Sequence, residues 1–228
     1  MDNTEVIQGT QQWKDARLGF VTASRIAAVI AKPTTKGETE ARTRGNYRLQ
    51  LFCERTTGKA ADFELDNLWQ IKRGKKLEPD ARMEYDLRCM DGVVKTVGFV
   101  EHPTIPNFGC SPDALVGDKG MAQFKCPIPR VHEEYLKLAK KGQIPSEYYK
   151  QVQCELAVTG REWSDFVSYC PEWPEPMQLS IVRVPRDESL ILQIEAAVVF
   201  FNAEIDEMIA ALPHKQDPLE ITDADFPR

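Results

Sequence analysis

Apolar and polar positions change period along this chain, and the changes divide it into segments. From about Glu38 to Arg55, Tyr47, Leu49, Leu51 and Phe52 sit among charges at helical spacing, and Gly58 closes the run. Upstream, Thr22-Ala23-Ser24 precedes an apolar run through Ile26, Val29 and Ile30 that stops before Pro33. Thr22 or Ser24 is therefore expected to cap a short helix, with a loop from Pro33 to Glu38. A further helical pattern covers about Asp66 to Met90, and Pro79 inside it must kink that helix or begin a new one. The period then becomes two. Val93 to Val100 is β-branched and reads as one strand ending near Pro103. Phe108–Cys110, Ala114–Gly117 and Met121–Lys125 follow as short strands separated by Gly and Asp turns.

Helices are expected at about Val131–Lys141 and Ser146–Thr159, strands at about Asp165–Cys170 and Met177–Val184. A last helix runs from about Asp187 to Leu212, with Leu190, Ile194, Ala197, Phe200 and Phe201 among its apolar positions. This order predicts an α/β architecture, a central mixed β-sheet flanked by helices. We read residues 1–228 as one domain: a helical part to about 90, a sheet core over about 91–212 and an acidic segment over 213–228.

Composition narrows the function. Apolar residues make up 42% and charged residues 28% of 228 positions, enough for a sizeable core. No stretch approaches the roughly 18 apolar residues of a membrane span, and the first residues carry no signal-peptide pattern. A cytoplasmic protein with no membrane partner is expected. The six cysteines are scattered without a C-x-x-C pair and read as reduced thiols, and the three histidines lack ligand spacing. A net charge of −6 argues against DNA binding unless basic residues gather locally. They do gather: Arg42, Arg44 and Arg48; Lys72, Arg73, Lys75 and Lys76; Lys137, Lys140 and Lys141. Acids collect toward the C-terminus, from Glu204 to Asp225. This polarity suits a basic groove with an acidic exterior, although solvated helix faces produce the same pattern.

The informative segment is Ser111-Pro112-Asp113, then a short strand and turn, then Gln123-Phe124-Lys125. A hairpin this short brings Asp113 near residue 123, and strand alternation sends Gln123 and Lys125 to one face and Phe124 into the core. A carboxylate, a second oxygen donor and a lysine on one face can bind Mg²⁺ and orient a water for attack on phosphate. Spacing alone is weak support, because Asp and Lys on adjacent strands are usually surface residues.

Four ordered blocks add to it. The run Cys110–Pro127 resembles the nuclease motif of the phage lambda exonuclease family, in which SPDG precedes E-x-K-C-P. Trp13-Lys-Asp-Ala-Arg17-Leu-Gly-Phe-Val-Thr22-Ala-Ser24 resembles the opening block of that family. Gly74-Lys-Lys-Leu-Glu78-Pro-Asp-Ala-Arg82 resembles its G-x-x-x-E-x-x-A-R helix, and Tyr148-Tyr-Lys-Gln151-Val-Gln153 its Y-x-x-Q-V-Q helix. The resemblance spans about residues 13–153. It implies a YqaJ-like viral recombinase of the restriction-endonuclease-like superfamily, with a PD-(D/E)XK site. It further implies a Mg²⁺-dependent 5′→3′ exonuclease (Mn²⁺ substituting) that leaves a 3′ overhang for strand annealing. By resemblance, Lys125, Asp113, Gln123 and Glu78 are the catalytic positions, and Asp113, Gln123, Phe124 and Glu78 the metal positions. Arg17, Ser24, Tyr148 and Gln151 are then the positions for the 5′ phosphate and DNA. Arg is suited to bidentate phosphate contacts. Without the family, Arg17 is a surface residue, Ser24 an ordinary cap, Glu78 a solvated acid, and Tyr148 and Gln151 packing residues. The implied partners are duplex ends carrying a 5′ phosphate, a homotrimeric ring of this chain and a phage-type single-strand annealing protein.

The match breaks at Gln123, where the family has Glu. An amide offers one carbonyl oxygen but removes a negative charge. Either the natural protein tolerates Gln or the chain is an engineered variant. Because no replacement acid is evident nearby, Asp118 lying in the turn, the second reading is favoured, and it predicts a chain that binds ends and metal but cuts poorly. Ala114 and Pro79 are smaller departures. Two other readings compete: a restriction- or repair-like endonuclease, and a non-catalytic DNA-end-binding protein.

Overall fold

The computed structural model describes residues 3–34, 37–60 and 69–213. The acidic segment from His214 onward lies outside the described residues, as do the start of the Asp66–Met90 pattern and part of the Pro33–Glu38 stretch. The elements run α1 (Gln11–Ala16), β1 (Val21–Thr22), α2 (Ile26–Val29), α3 (Arg42–Thr57), α4 (Trp69–Asp86), β2 (Val94–Lys95), β3 (Val100–Glu101) and β4 (Phe108–Cys110). Then come β5 (Ala114–Val116), β6 (Gly120–Lys125), α5 (Pro129–Ala139), α6 (Ser146–Thr159), β7 (Trp163–Tyr169), β8 (Leu179–Pro185) and α7 (Glu188–Ala210).

The principal sheet has the order β2-β5-β6-β7-β8 and is mixed. Strand β6 pairs antiparallel with β5 and parallel with β7, the crossover passing through α5 and α6. Its residues are buried except for half-buried Lys125, as expected of a central strand covered on both faces. Alternation divides them. Ala122 and Phe124 pack with Ala81 and Tyr85 of α4, whereas Met121 packs with Val152 and Leu156 of α6. Helix α6 is buried from Val152 to Val158, because its far side also packs: Cys154 and Val158 join a second core with α2, α3, α7 and the small sheet β1-β4-β3. A helix that packs on opposite sides lies in the middle of the molecule. Whatever polar residue α6 carries is therefore deep.

Three local expectations change. Val93–Val100 is not one strand, because its ends join different sheets, β2 pairing with β5 and β3 with β4. Between them the chain bonds the N-terminus instead: Gly98 and Phe99 N–H donate to the carbonyls of Thr4 and Asn3. A Cβ at Gly98 would collide with the carbonyl oxygens of Asn3 and Val6, which is why that segment needs glycine. Pro79 does not begin a new helix, since α4 continues through it, with Pro79 on the exposed side. Thr22 stands at the head of a short 3₁₀ turn (Ala23–Arg25) but makes no side-chain cap. Its hydroxyl lies instead against Arg17 Nη2 at 3.5 Å and Ser24 Oγ at 3.4 Å. By contrast, Gly58 ends α3 in the left-handed conformation, its N–H on Glu54 O.

Candidate active site

Asp113 leaves the β4–β5 connection beside the last residues of β6. One of its oxygens, Oδ2, accepts the Phe124 N–H at 2.7 Å and the Gln123 amide at 2.5 Å. Burial, the larger influence, holds the Asp113 carboxyl above its usual range; Lys125 and these two donors pull the other way. Gln123 and Lys125 share the face toward α6. The side chain of Phe124 is on the opposite face, edge-on to Tyr85, so only its main chain serves the site.

Asp113 and Lys125 stand where two cavities meet. The first, of about 220 Å³, is enclosed by α1, the Thr22–Ser24 turn, β6 and α6. Arg17, Ser24, Gln123 and Gln151 all line it, so four of the expected positions converge there. The Arg17 guanidinium stacks on Trp13 at 4.3 Å, and burial lowers its pKa from the ordinary arginine value. Trp13 in turn donates from Nε1 to Ser111 Oγ at 2.8 Å, and Gln8 donates to the carbonyls of Val97 and Pro112. These bonds tie the N-terminal segment to the loop carrying Asp113.

The second cavity, of about 410 Å³, opens toward α4 and contains Glu78 and Tyr148. Glu78 accepts from Arg82 at 2.8 Å; its carboxyl is raised first by burial and then by repulsion from Asp113. The Tyr148 ring packs on Phe166 and lies 4.9 Å from Lys125 Nζ. Tyr148 therefore flanks Lys125 on the Glu78 side rather than joining Arg17 and Ser24.

One residue was missed. Glu155, one turn after Gln151 on α6, also lines the first cavity and is 1% exposed. The Gln151 amide donates both to Gln123 Oε1 at 3.1 Å and to Glu155 Oε1 at 2.8 Å. The Gln151–Glu155 spacing of four was readable in the sequence, and the resemblance set this helix beside the site, but the matching block ends at Gln153 and so did not reach Glu155. The premise that no other acid lies near Gln123 is thus incorrect; Asp118, in the turn, is exposed.

One further expectation is corrected. Arg44 and Arg48 are engaged by Glu40 and Glu204, and Arg73 by Glu172 and the carbonyls of Cys126 and Pro127. Internal acids thus occupy arginines expected to meet phosphate. All six cysteines are free thiols.

The donors around Asp113 are carboxylate, amide and hydroxyl oxygens, which suit a hard divalent cation. Among the described residues, no three or more His, Cys, Asp or Glu side chains form a ready-made metal cluster. Glu78 and Glu155 instead flank Asp113 from its two cavities.

A family model, the YqaJ-like viral recombinase domain, matches residues 12–162. The chain belongs to that family. No curated protein matches it. Among solved structures, this YqaJ-like chain is similar to an alkaline exonuclease from Laribacter hongkongensis, at 42% identity and a TM-score of 0.76, over 88% of this chain and 95% of that one. A second structure of that protein, in complex with dAMP, matches equally. A phage-related exonuclease from Haemophilus somnus, at 17% identity and a TM-score of 0.64 over 84% and 95%, shares the fold. The YqaJ-like chain thus has the restriction-endonuclease-like fold of an exonuclease family. Among its described residues, no helix is long and apolar enough to cross a membrane.

Proposed function

We propose that this chain is a Mg²⁺-dependent 5′→3′ exonuclease acting on linear double-stranded DNA and leaving a 3′ single strand for annealing. The observation that carries the reading is the convergence of Arg17 and Ser24 with Asp113, Gln123 and Lys125 on one cavity. A pocket lined at one side by a guanidinium and hydroxyls and at the other by the nuclease motif itself fits a strand end better than an internal phosphate. A related exonuclease has been solved in complex with dAMP, which is in keeping with a nucleotide ligand.

Asp113, Glu78 and the Gln123 carbonyl would hold Mg²⁺, which when bound supplies charge to polarise a phosphate and acidify water. The chain's own groups do the rest. Lys125, beside Asp113 and against the Tyr148 ring, is placed to orient the attacking water and share its proton. Arg17 and Ser24 fix the terminal phosphate, which sets the distance to the bond that is cut. Family resemblance extends the proposal to a homotrimeric ring around the duplex, with a single-strand annealing protein as partner.

The test is a linear duplex phosphorylated at one 5′ end and incubated with Mg²⁺. We expect shortening from that end, and Arg17→Ala should erase the preference for the phosphorylated end. Internal cuts would point to an endonuclease, and end binding without cleavage to a non-catalytic protein. Gln123→Glu run alongside measures whether the amide impairs the chain: a gain of orders of magnitude supports impairment.

A further inference from the structure

Glu155 is chemically out of place unless something binds it. It lies in the centre of the molecule at 1% exposure, yet its Oε2 is buried with no hydrogen-bond partner. Carboxylates are seldom buried unless paired or coordinated, because desolvation of the charge is not otherwise offset. The cavity it lines also holds Asp113 and Lys125, and Asp113 is close enough to raise the Glu155 carboxyl, which burial and this repulsion push up to about 8. Lys125 acts on it only through space, without a hydrogen bond among the described contacts.

Gln123, meanwhile, spends both ends of its amide on neighbours. Its Nε2 donates to Asp113 and its Oε1 accepts from Gln151, whose same nitrogen donates to Glu155. The amide is a strut between two acids. Were residue 123 a glutamate, its carboxylate would face Asp113 across a contact the amide now makes attractive, with Glu155 a few bonds farther on. The acid missing from β6 is thus present on α6, reached through Gln151.

We infer that Glu155 supplies a carboxylate ligand to the divalent-cation site, in place of the acid that Gln123 lacks. This rests on the nuclease reading of the cavity. It moves the ligand role of the Gln123 carbonyl onto Glu155 and leaves the amide to position Asp113, so that the chain is a nuclease with its acid relocated from strand to helix rather than one that is damaged.

The test uses Mn²⁺ as the probe, titrated by calorimetry and electron paramagnetic resonance into the full-length chain, Glu155→Gln, and Gln123→Glu/Glu155→Gln. Melting is recorded without metal, and Mg²⁺-dependent DNA digestion in parallel. Glu155→Gln should weaken Mn²⁺ binding at least tenfold without lowering the metal-free melting temperature at neutral pH, since a carboxyl pushed up to about 8 is mostly neutral there and the Gln amide matches it in size and charge. Returning the acid to β6 in the double variant should recover most of the lost affinity and cleavage. If Glu155→Gln binds Mn²⁺ and cuts like the unaltered chain, the inference falls and the nuclease reading stands. A double variant that melts normally and recovers neither binding nor cleavage also overturns it. If the unaltered chain neither binds Mn²⁺ nor cuts, both fall together.

Discussion

Glu54 and Glu155 are both buried acids on long helices, and their surroundings differ completely. On α3, Glu54 accepts the Gly19 N–H at 3.0 Å on one oxygen and the Gln50 amide at 2.7 Å on the other. Asp165 on β7 is provided for in the same way, by Tyr85 and a two-pronged contact from Arg183. On α6, one oxygen of Glu155 has a partner and the other has none. The fold can satisfy a buried acid when the acid serves only the fold. Where it leaves one unmet, next to Asp113 and Lys125, the natural explanation is a partner from outside the chain.

That contrast can be broken by experiment, most sharply at the open end. Asp113→Asn should cut the cleavage rate about a thousandfold or more, about 4 kcal/mol in the barrier, while the melting temperature hardly moves. A matching loss of stability would make Asp113 a structural acid like the other two. The opposite pattern is expected at Asp165→Asn, which replaces an acceptor of Tyr85 and Arg183 by an amide. Chemical denaturation should show a loss of about 3 kcal/mol, with Mn²⁺ affinity retained. Glu54→Ala should cost less, about 2 kcal/mol by the same measurement, because one buried N–H loses its acceptor. A change in metal binding in either variant would blur the distinction.

The smallest effect concerns His132, buried between Ser168 Oγ at 2.7 Å and the Met177 carbonyl at 2.8 Å. With Nε2 donating to the carbonyl, Nδ1 accepts from Ser168, so the neutral ring is the one that fits. Burial lowers its pKa from 6.5. The sign follows: the stability it contributes is present above the unfolded-state value and lost as pH falls through the lowered folded-state value. Melting curves between pH 7.5 and about 5 should therefore decline less steeply for His132→Gln than for the unaltered chain. Parallel slopes would show that other groups carry the acid sensitivity.

Most of the residues lining the candidate site are legible in the sequence. Asp113, Gln123 and Lys125 follow from a hairpin and a two-residue period, and the helical stretches of α3, α6 and α7 from theirs. What escaped depends on contacts between distant segments. Val93–Val100 has the composition of a strand, but the N-terminal residues claim its middle. Arg44, Arg48 and Arg73 look like a phosphate-binding cluster until Glu40, Glu204 and Glu172 reach them. Thr22 looks like a cap until Arg17 and Ser24 draw its hydroxyl away. Glu155 was invisible because a lone glutamate in a helix is ordinarily solvated; only the burial of α6 on both sides makes it exceptional.

The parallel pairing of β6 with β7 also has a consequence for the order of events during folding. Strand β5 can zip onto β6 through a three-residue turn, so Asp113 and Lys125 meet early, as neighbours in a hairpin. The flank supplied by α6 and β7, and the brace from Gln8 and Trp13, join residues that lie about a hundred positions or more from one another in part. Contacts of that sequence separation form slowly, since loop closure precedes any gain from packing. A chain still missing β7 can therefore already hold Asp113 and Lys125 as hairpin neighbours, but the cavity they share with α6 is complete only once the core around it has closed.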